Sequence, residues 1–289
     1  MLTISIDPVA FAIGPLTVRW YGIMIGVAVI LMLATTPREA KKRGVTRDIY
    51  SLFLWGIIGG YTGGRLAYVI YDWGHFVANP REIIGFAGLA QNGMIIGVIV
   101  AALIYMRVTR MRFSTLLSIG DGAAVWIPLA LGIGRLACTI NGCCSGKLSP
   151  FQYFPGAVIY APPPPGAPLQ DWYHLSSQYL GVPIYPTQIY HALWGLIVFA
   201  VVWRFRGKFK PEGCLVFFCF CLFAAGDFGV RFFRIGEPLL GVLYQAQVLD
   251  LAILAVFLPW LIIRMRRFKK QALVTELANE AELEQSHED

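Results

Sequence analysis

The sequence predicts an all-α integral membrane protein of seven transmembrane helices, with the N-terminus outside, the C-terminus in the cytoplasm and a small outer-face loop region. Three observations predict this. The chain of 289 residues is 57% hydrophobic and only 14% charged, where soluble domains carry about 25% charged residues; its mean hydropathy is +0.61. Apolar runs recur at roughly 20 residues, the length that crosses about 30 Å of hydrocarbon. Basic residues gather in alternate connections between those runs.

The expected spans run over about residues 18–35, 50–70, 91–107, 118–136, 188–204, 213–230 and 242–263. They are helices because stretches such as Met94–Ile104 are continuously apolar, whereas barrel strands alternate apolar and polar residues. The connection after the first span holds Arg38, Lys41, Lys42, Arg43 and Arg47. The connection after the third holds Arg107, Arg110 and Arg112. After the fifth come Arg204, Arg206, Lys208 and Lys210, and after the seventh Arg264, Arg266, Arg267, Lys269 and Lys270. These are 17 of the 24 basic residues, and positive loops stay cytoplasmic. The formal net charge of +7 is therefore not a nucleic-acid footprint. A multi-pass protein of the bacterial cytoplasmic (inner) membrane is expected.

No basic segment precedes the first apolar stretch, so no cleavable signal peptide is expected. The organisation predicted is a membrane domain over 1–267 and a charged cytoplasmic tail over 268–289, with Glu276, Glu280, Glu282, Glu284, Glu288 and Asp289 at its end. One outer connection, about residues 138–187, is long and carries Pro162–Pro165, Pro168 and Pro183. Loops of this length are often functional. A cap over a membrane site and a tolerated insertion both fit it.

Charges at bilayer depth cost free energy and mark function. Arg65, Asp121, Arg135 and Asp227 fall within or at the ends of spans, and Arg231 and Arg234 follow just beyond the sixth. Arg65, Arg135, Arg231 and Arg234 sit toward the outer side, against the positive-inside pattern. A pocket for an anionic group explains them, because guanidinium grips phosphate in a planar fork. Asp–Arg pairing within the bundle is the structural alternative. Gly59, Gly60, Gly63 and Gly64 on the second span, and Gly132 and Gly134 on the fourth, predict close helix packing.

Of six cysteines, Cys214, Cys219 and Cys221 read as apolar packing. Cys138, Cys143 and Cys144 cluster at the outer end of the fourth span. No metal site is expected there, because His174 and His191 are the only histidine candidates and no carboxylates stand at ligand spacing. An outer-face disulfide is permitted by the compartment.

Six motifs, in order, resemble one family. GPLTVRWYG from Gly14 to Gly22 is similar to an entry motif GPLxxRWYG. GGRLAYVIY from Gly63 to Tyr71 is similar to GxRxxYV. Asn79-Pro-Arg-Glu82, with GMIIG from Gly93 to Gly97, resembles NPxE…GGLIG. GIGRLACTINGCCSG from Gly132 to Gly146 resembles the signature GxGRxxxFxNGxxxG in a cysteine-bearing form. YPTQIY from Tyr185 to Tyr190 resembles HPTQLYE, and RFFR from Arg231 to Arg234 with Ala246-Gln247 resembles EFFR…GQ. The family is that of the bacterial prolipoprotein diacylglyceryl transferases. The resemblance spans about residues 11–263.

The resemblance implies a transferase for which phosphatidylglycerol and other membrane lipid are partners. Its diacylglyceryl unit passes to the lipobox cysteine thiol in a preprolipoprotein signal peptide. It implies no metal or other cofactor, and no nucleic acid. Arg135 and Arg234 fall at the family's essential arginines, and Tyr21 at a cavity tyrosine. Asn141 and Gly146 match the signature, and together with Arg135, Arg65, Asn92, Gln188 and Tyr190, at positions of the matched motifs, they are expected to bind substrate. The departures are specific. Asn92 stands where the family has a histidine, Cys138 replaces an asparagine, Cys143 an acidic residue, His191 a glutamate and Arg231 a glutamate. Asn has no proton-accepting nitrogen at neutral pH, so either another group serves as base, with His191 the candidate, or the thiol ionises without one, or the family reaction is lost. A non-catalytic or differently specific lipid-binding member of the same fold is the alternative.

Overall fold

A computed structural model describes residues 2–14, 16–83, 90–166, 173–236 and 238–288. Helices dominate. They are α1 (Trp20–Lys42), α2 (Tyr50–Tyr71), a short α3 (Trp73–Ala78), α4 (Gln91–Val108), α5 (Phe113–Ala124), α6 (Ile127–Asn141), α7 (Thr187–Phe205), α8 (Cys214–Val230) and α9 (Gln245–Glu288). Among the described residues six short strands form three two-stranded pieces: β1 (Leu2–Ile4) runs parallel to β4 (Val158–Tyr160), β2 (Val9–Ile13) pairs antiparallel with β3 (Leu16–Arg19), and β5 (Pro238–Leu240) with β6 (Leu243–Tyr244). Among the described residues four helices are long and apolar enough to cross a membrane, or five if α5 and α6 count as one bent span. These are a multi-pass protein's helices.

Two elements differ from expectation. The fourth span is broken: α5 and α6 meet at 51°, with Pro128 in the first turn of α6. Proline lacks the N–H that would continue the ladder and restricts the residue before it. The last helix runs on from the apolar segment through the charged tail to Glu288, where Ala, Leu, Glu and Lys are strong helix formers.

The chain divides into two compact units, Met1–Thr35 with Ala123–Asp289, and Thr36–Gly122. In the second unit α2 and α4 pack through glycines. A Cβ added at Gly63 would come within 2.8 Å of the Gly97 Cα, and one at Gly97 would overlap the Gly59 carbonyl. Small residues thus bring the two backbones together as the glycine run predicts. Asp121 is buried and pairs with Arg43 at 3.6 Å.

In the first unit, α7 packs on α6, where a Cβ at Gly195 would stand 2.8 Å from the Pro128 carbonyl. Val198 and Val202 of α7 and Leu215, Val216 and Cys219 of α8 share a core with Ala124 and Val125. The long connection 138–187 is folded where it is described. Val158, Tyr160, Tyr173, Leu175 and Ile184 bury one another and enclose Ile4 of β1. The middle of its proline-rich stretch, with Pro168, lies outside the described residues.

Candidate active site

The site is built where α6 ends. Gly142 caps α6 in the left-handed conformation (φ 69°), which glycine adopts without cost. The loop that follows, Cys143–Gly146, is held by hydrogen bonds from α7. Thr187 Oγ1 donates to the Cys144 carbonyl at 2.8 Å, and Gln188 Nε2 donates to the Cys143 carbonyl at 2.8 Å and to Ser145 Oγ at 3.1 Å. The same loop pairs with the backbone around Arg234. Lys147 N donates to the Phe233 carbonyl at 2.8 Å, and Ile235 N to the Ser145 carbonyl at 3.3 Å. Three segments far apart in sequence therefore meet here: 135–146, 185–190 and 231–235.

Gly146 sits at the crossing. It bridges Arg234, and its N–H donates to the Tyr185 carbonyl at 3.2 Å. A Cβ at this position would drive into the Tyr185 carbonyl and lie 2.9 Å from the Phe233 carbonyl. Backbone oxygens cannot move aside as a side chain can. Gly146→Ala is therefore expected to lose about 1–3 kcal/mol through overpacking, read as a lower unfolding temperature of the detergent-solubilised protein. An unchanged melting point would show that the segments do not meet so closely.

The arginines divide into two kinds. Arg231 Nε donates to Asp227 Oδ2 at 2.6 Å, so this cation already has its anion inside the protein. Arg65, in the second unit, is buried, donates to the Glu82 and Ile83 carbonyls, and lies over the Tyr68 and Phe76 rings at 5.5 and 5.2 Å. Arg135 and Arg234 are different: among the described residues neither has an ion-pair partner. Burial lowers the Arg234 guanidinium from its ordinary value, yet it stays charged at neutral pH. Both arginines act electrostatically on Cys144. Hydrogen bonds with the Cys138 and Cys143 thiols, and then the two arginine charges, hold the Cys144 thiol below its usual range.

A cavity of about 270 Å³ opens beside Arg234, lined by Cys144, Ser145, His174, Leu175 and Tyr179 among others. Its far wall comes from the long outer loop, which is thus part of the site. Tyr21 interacts electrostatically with the three cysteines and Arg135. Asn141 is buried at the end of α6. Its carbonyl accepts from His174 N at 3.0 Å, and its side chain bonds Cys143. Tyr190 donates to the Pro155 carbonyl at 2.7 Å and packs on Phe233. Burial raises the Tyr160 phenol, which donates to the Thr139 carbonyl at 2.8 Å.

His191 is buried, with Nε2 2.6 Å from Asp227 Oδ1 and Nδ1 2.7 Å from the Thr187 carbonyl. Both ring nitrogens face oxygens of the protein. In the structure His191 ties α7 to α8. Arg65 and Asn92 belong to the second unit; Asn92 begins α4, and its side chain lies outside the described residues. The expectation of no metal ligands counted spacing along the chain. In the fold the Sγ atoms of Cys138, Cys143 and Cys144 all lie within 4.8 Å of one another. Sequence reasoning also passed over Ser145 and Tyr179, and weighed the cavity-lining His174 only as a metal ligand; the signal of all three is only their place in a loop of unusual length.

The family model described as prolipoprotein diacylglyceryl transferase matches residues 8–263. The chain belongs to the prolipoprotein diacylglyceryl transferase family. A phosphatidylglycerol–prolipoprotein diacylglyceryl transferase of Dehalococcoides mccartyi is 33% identical over 272 residues, covering 93% of this chain and 98% of the relative. Its namesake in Coxiella burnetii is 33% identical over 246 residues, 82% and 85% of the two chains. That of Aeromonas salmonicida is 34% identical over 251 residues, 83% and 82%.

Proposed function

We propose that this transferase moves the diacylglyceryl unit of phosphatidylglycerol onto the lipobox cysteine thiol of a preprolipoprotein. The observation that carries the reading is the pair Arg135 and Arg234, without an ion-pair partner among the described residues, within the family's motifs and with Arg234 lining a cavity. The sulfur attacks the glyceryl carbon that bears the phosphodiester. A C–S bond forms, the C–O bond breaks, and its electron pair leaves with glycerol phosphate. One negative charge on the diester becomes two on the departing monoester, and the thiol proton is released. Guanidinium groups fixed at that phosphate stabilise the charge as it grows. Tyr21, Asn141, Gln188 and Tyr190 lie in the segments that surround these groups, and Gly146 lets those segments approach.

The protein sits in the bacterial inner membrane with seven crossings, α5 and α6 together making one, and with the N-terminus outside and the C-terminal half of α9 in the cytoplasm. The 17 basic residues on alternate connections support this orientation. It places the end of α6 on the outer side, where secreted lipobox cysteines arrive. Asn92 in the family's histidine position favours a second reading, a lipid-binding member without transfer. Expression in a strain depleted of its own transferase separates them: restored growth and lipidated lipoprotein support transfer, and failure at normal membrane abundance supports binding alone. Topology reporters at Lys42, Arg110 and Lys208 are expected to read cytoplasmic.

A further inference from the structure

Cys138, Cys143 and Cys144 are the part of the site that the chemistry above leaves idle. Their sulfurs lie within 4.8 Å of one another. Three sulfurs sharing one zinc at about 2.3 Å must themselves stand roughly 4 Å apart, so the cluster needs only small side-chain adjustments to close on an ion.

The backbone is shaped for this gathering. Cys144 holds φ 61°, in the left-handed region that a residue with a Cβ rarely occupies and that costs about 1 kcal/mol or more. The Thr187 and Gln188 bonds to the Cys144 and Cys143 carbonyls maintain it. Cys138, on the last turn of α6, is buried. Among the described residues no histidine or carboxylate joins the group. An all-sulfur donor set selects soft or borderline ions. Three protein ligands with an open fourth position is the catalytic zinc pattern, whereas structural zinc takes four. Three thiolates leave zinc with one net negative charge, and Arg135 and Arg234 lie near enough to offset it.

We propose that Cys138, Cys143 and Cys144 bind one zinc ion whose fourth position, toward the cavity lined by Cys144 and Arg234, takes the substrate thiol. The site stands on the sulfur geometry alone; its use in catalysis rests on the transfer reading. Coordination releases the thiol proton to solvent, since metals bind thiolate. The bound sulfur's lone pair attacks the glyceryl carbon, the carbon–oxygen bond breaks toward phosphate, and the neutral thioether, a weaker ligand, leaves the ion. Zinc thus takes the place of a base that Asn92 cannot supply.

The test uses the full chain, purified in detergent from zinc-supplied cells without chelator. About one zinc per chain is expected, as a single three-thiolate site requires. Cys138→Ser and Cys143→Ser should lose it, and Cys219→Ser and Cys221→Ser on α8 should keep it. Cobalt(II) added to stripped protein should give thiolate charge-transfer absorption that changes on adding a lipobox peptide and stays unchanged with its serine counterpart. Stripping the unaltered protein with chelator gives the same comparison where a variant does not fold. Protein that carries no zinc and takes up no cobalt, its three thiols free or joined as a disulfide, overturns the site. Full transfer by metal-free protein overturns its catalytic use and leaves the transfer reading intact. Stoichiometric zinc without transfer from phosphatidylglycerol keeps the site and sinks that reading.

Discussion

Replacing Arg135 or Arg234 with alanine is expected to slow lipid transfer by about 10²–10³-fold, as removal of one preorganised charge donor does elsewhere, with the protein still folded. Neither guanidinium has an internal ion-pair partner among the described residues, so removing one breaks no ion pair there. On the proposed reading the main loss is contact with the phosphate. Arg135→Lys should remain impaired, because an ammonium keeps the charge and loses the planar fork. Arg65→Ala should behave differently. Its guanidinium serves the Glu82 and Ile83 carbonyls, so stability should fall more than turnover per folded molecule. The check is transfer rate normalised to monodisperse protein for the four variants. Near-normal rates for Arg135→Ala and Arg234→Ala would remove the phosphate from this site.

Asp227→Ala carries the largest expected cost in stability. The Asp227 side chain, 8% exposed, holds Arg231 at 2.6 Å through one oxygen and His191 at 2.6 Å through the other. Removing it leaves a cation and a ring nitrogen on neighbouring helices without their acceptor. Breaking a buried pair from one side costs about 3–5 kcal/mol. Asp227→Asn keeps an acceptor and should cost less. Thermal unfolding in detergent reads both; a melting point unchanged in Asp227→Ala would mean that the network does not join α7 to α8.

The helices were legible in their apolar runs, four of which, or five with the bent pair, are long and apolar enough to cross a membrane among the described residues, and close packing of α2 was legible in Gly59, Gly60, Gly63 and Gly64, though not that α4 is the partner. The break at Pro128 had a local signal, a proline within the run, that the length of the run obscured. The continuation of α9 was written in the Ala, Leu, Glu and Lys of its tail. The pairing of Asp227 with Arg231 was also readable, since residues four apart share a helix face. Its bond to His191 was not, because the partner lies 36 residues away on another helix. The gathering of Cys138 with Cys143 and Cys144 depends on two successive left-handed turns, at Gly142 and Cys144. Spacing does not reveal a left-handed cysteine. Nor does it reveal that the long loop folds on Ile4 and supplies a wall of the cavity.

The most direct measurement follows both products at once. The full-length protein in detergent is given phosphatidylglycerol labelled in its glycerol phosphate headgroup, together with a lipobox cysteine peptide. Glycerol phosphate should appear in step with diacylglyceryl peptide, one for one, and neither should form with the serine peptide. Headgroup release without peptide lipidation, or no release of either product by folded protein, would contradict the account.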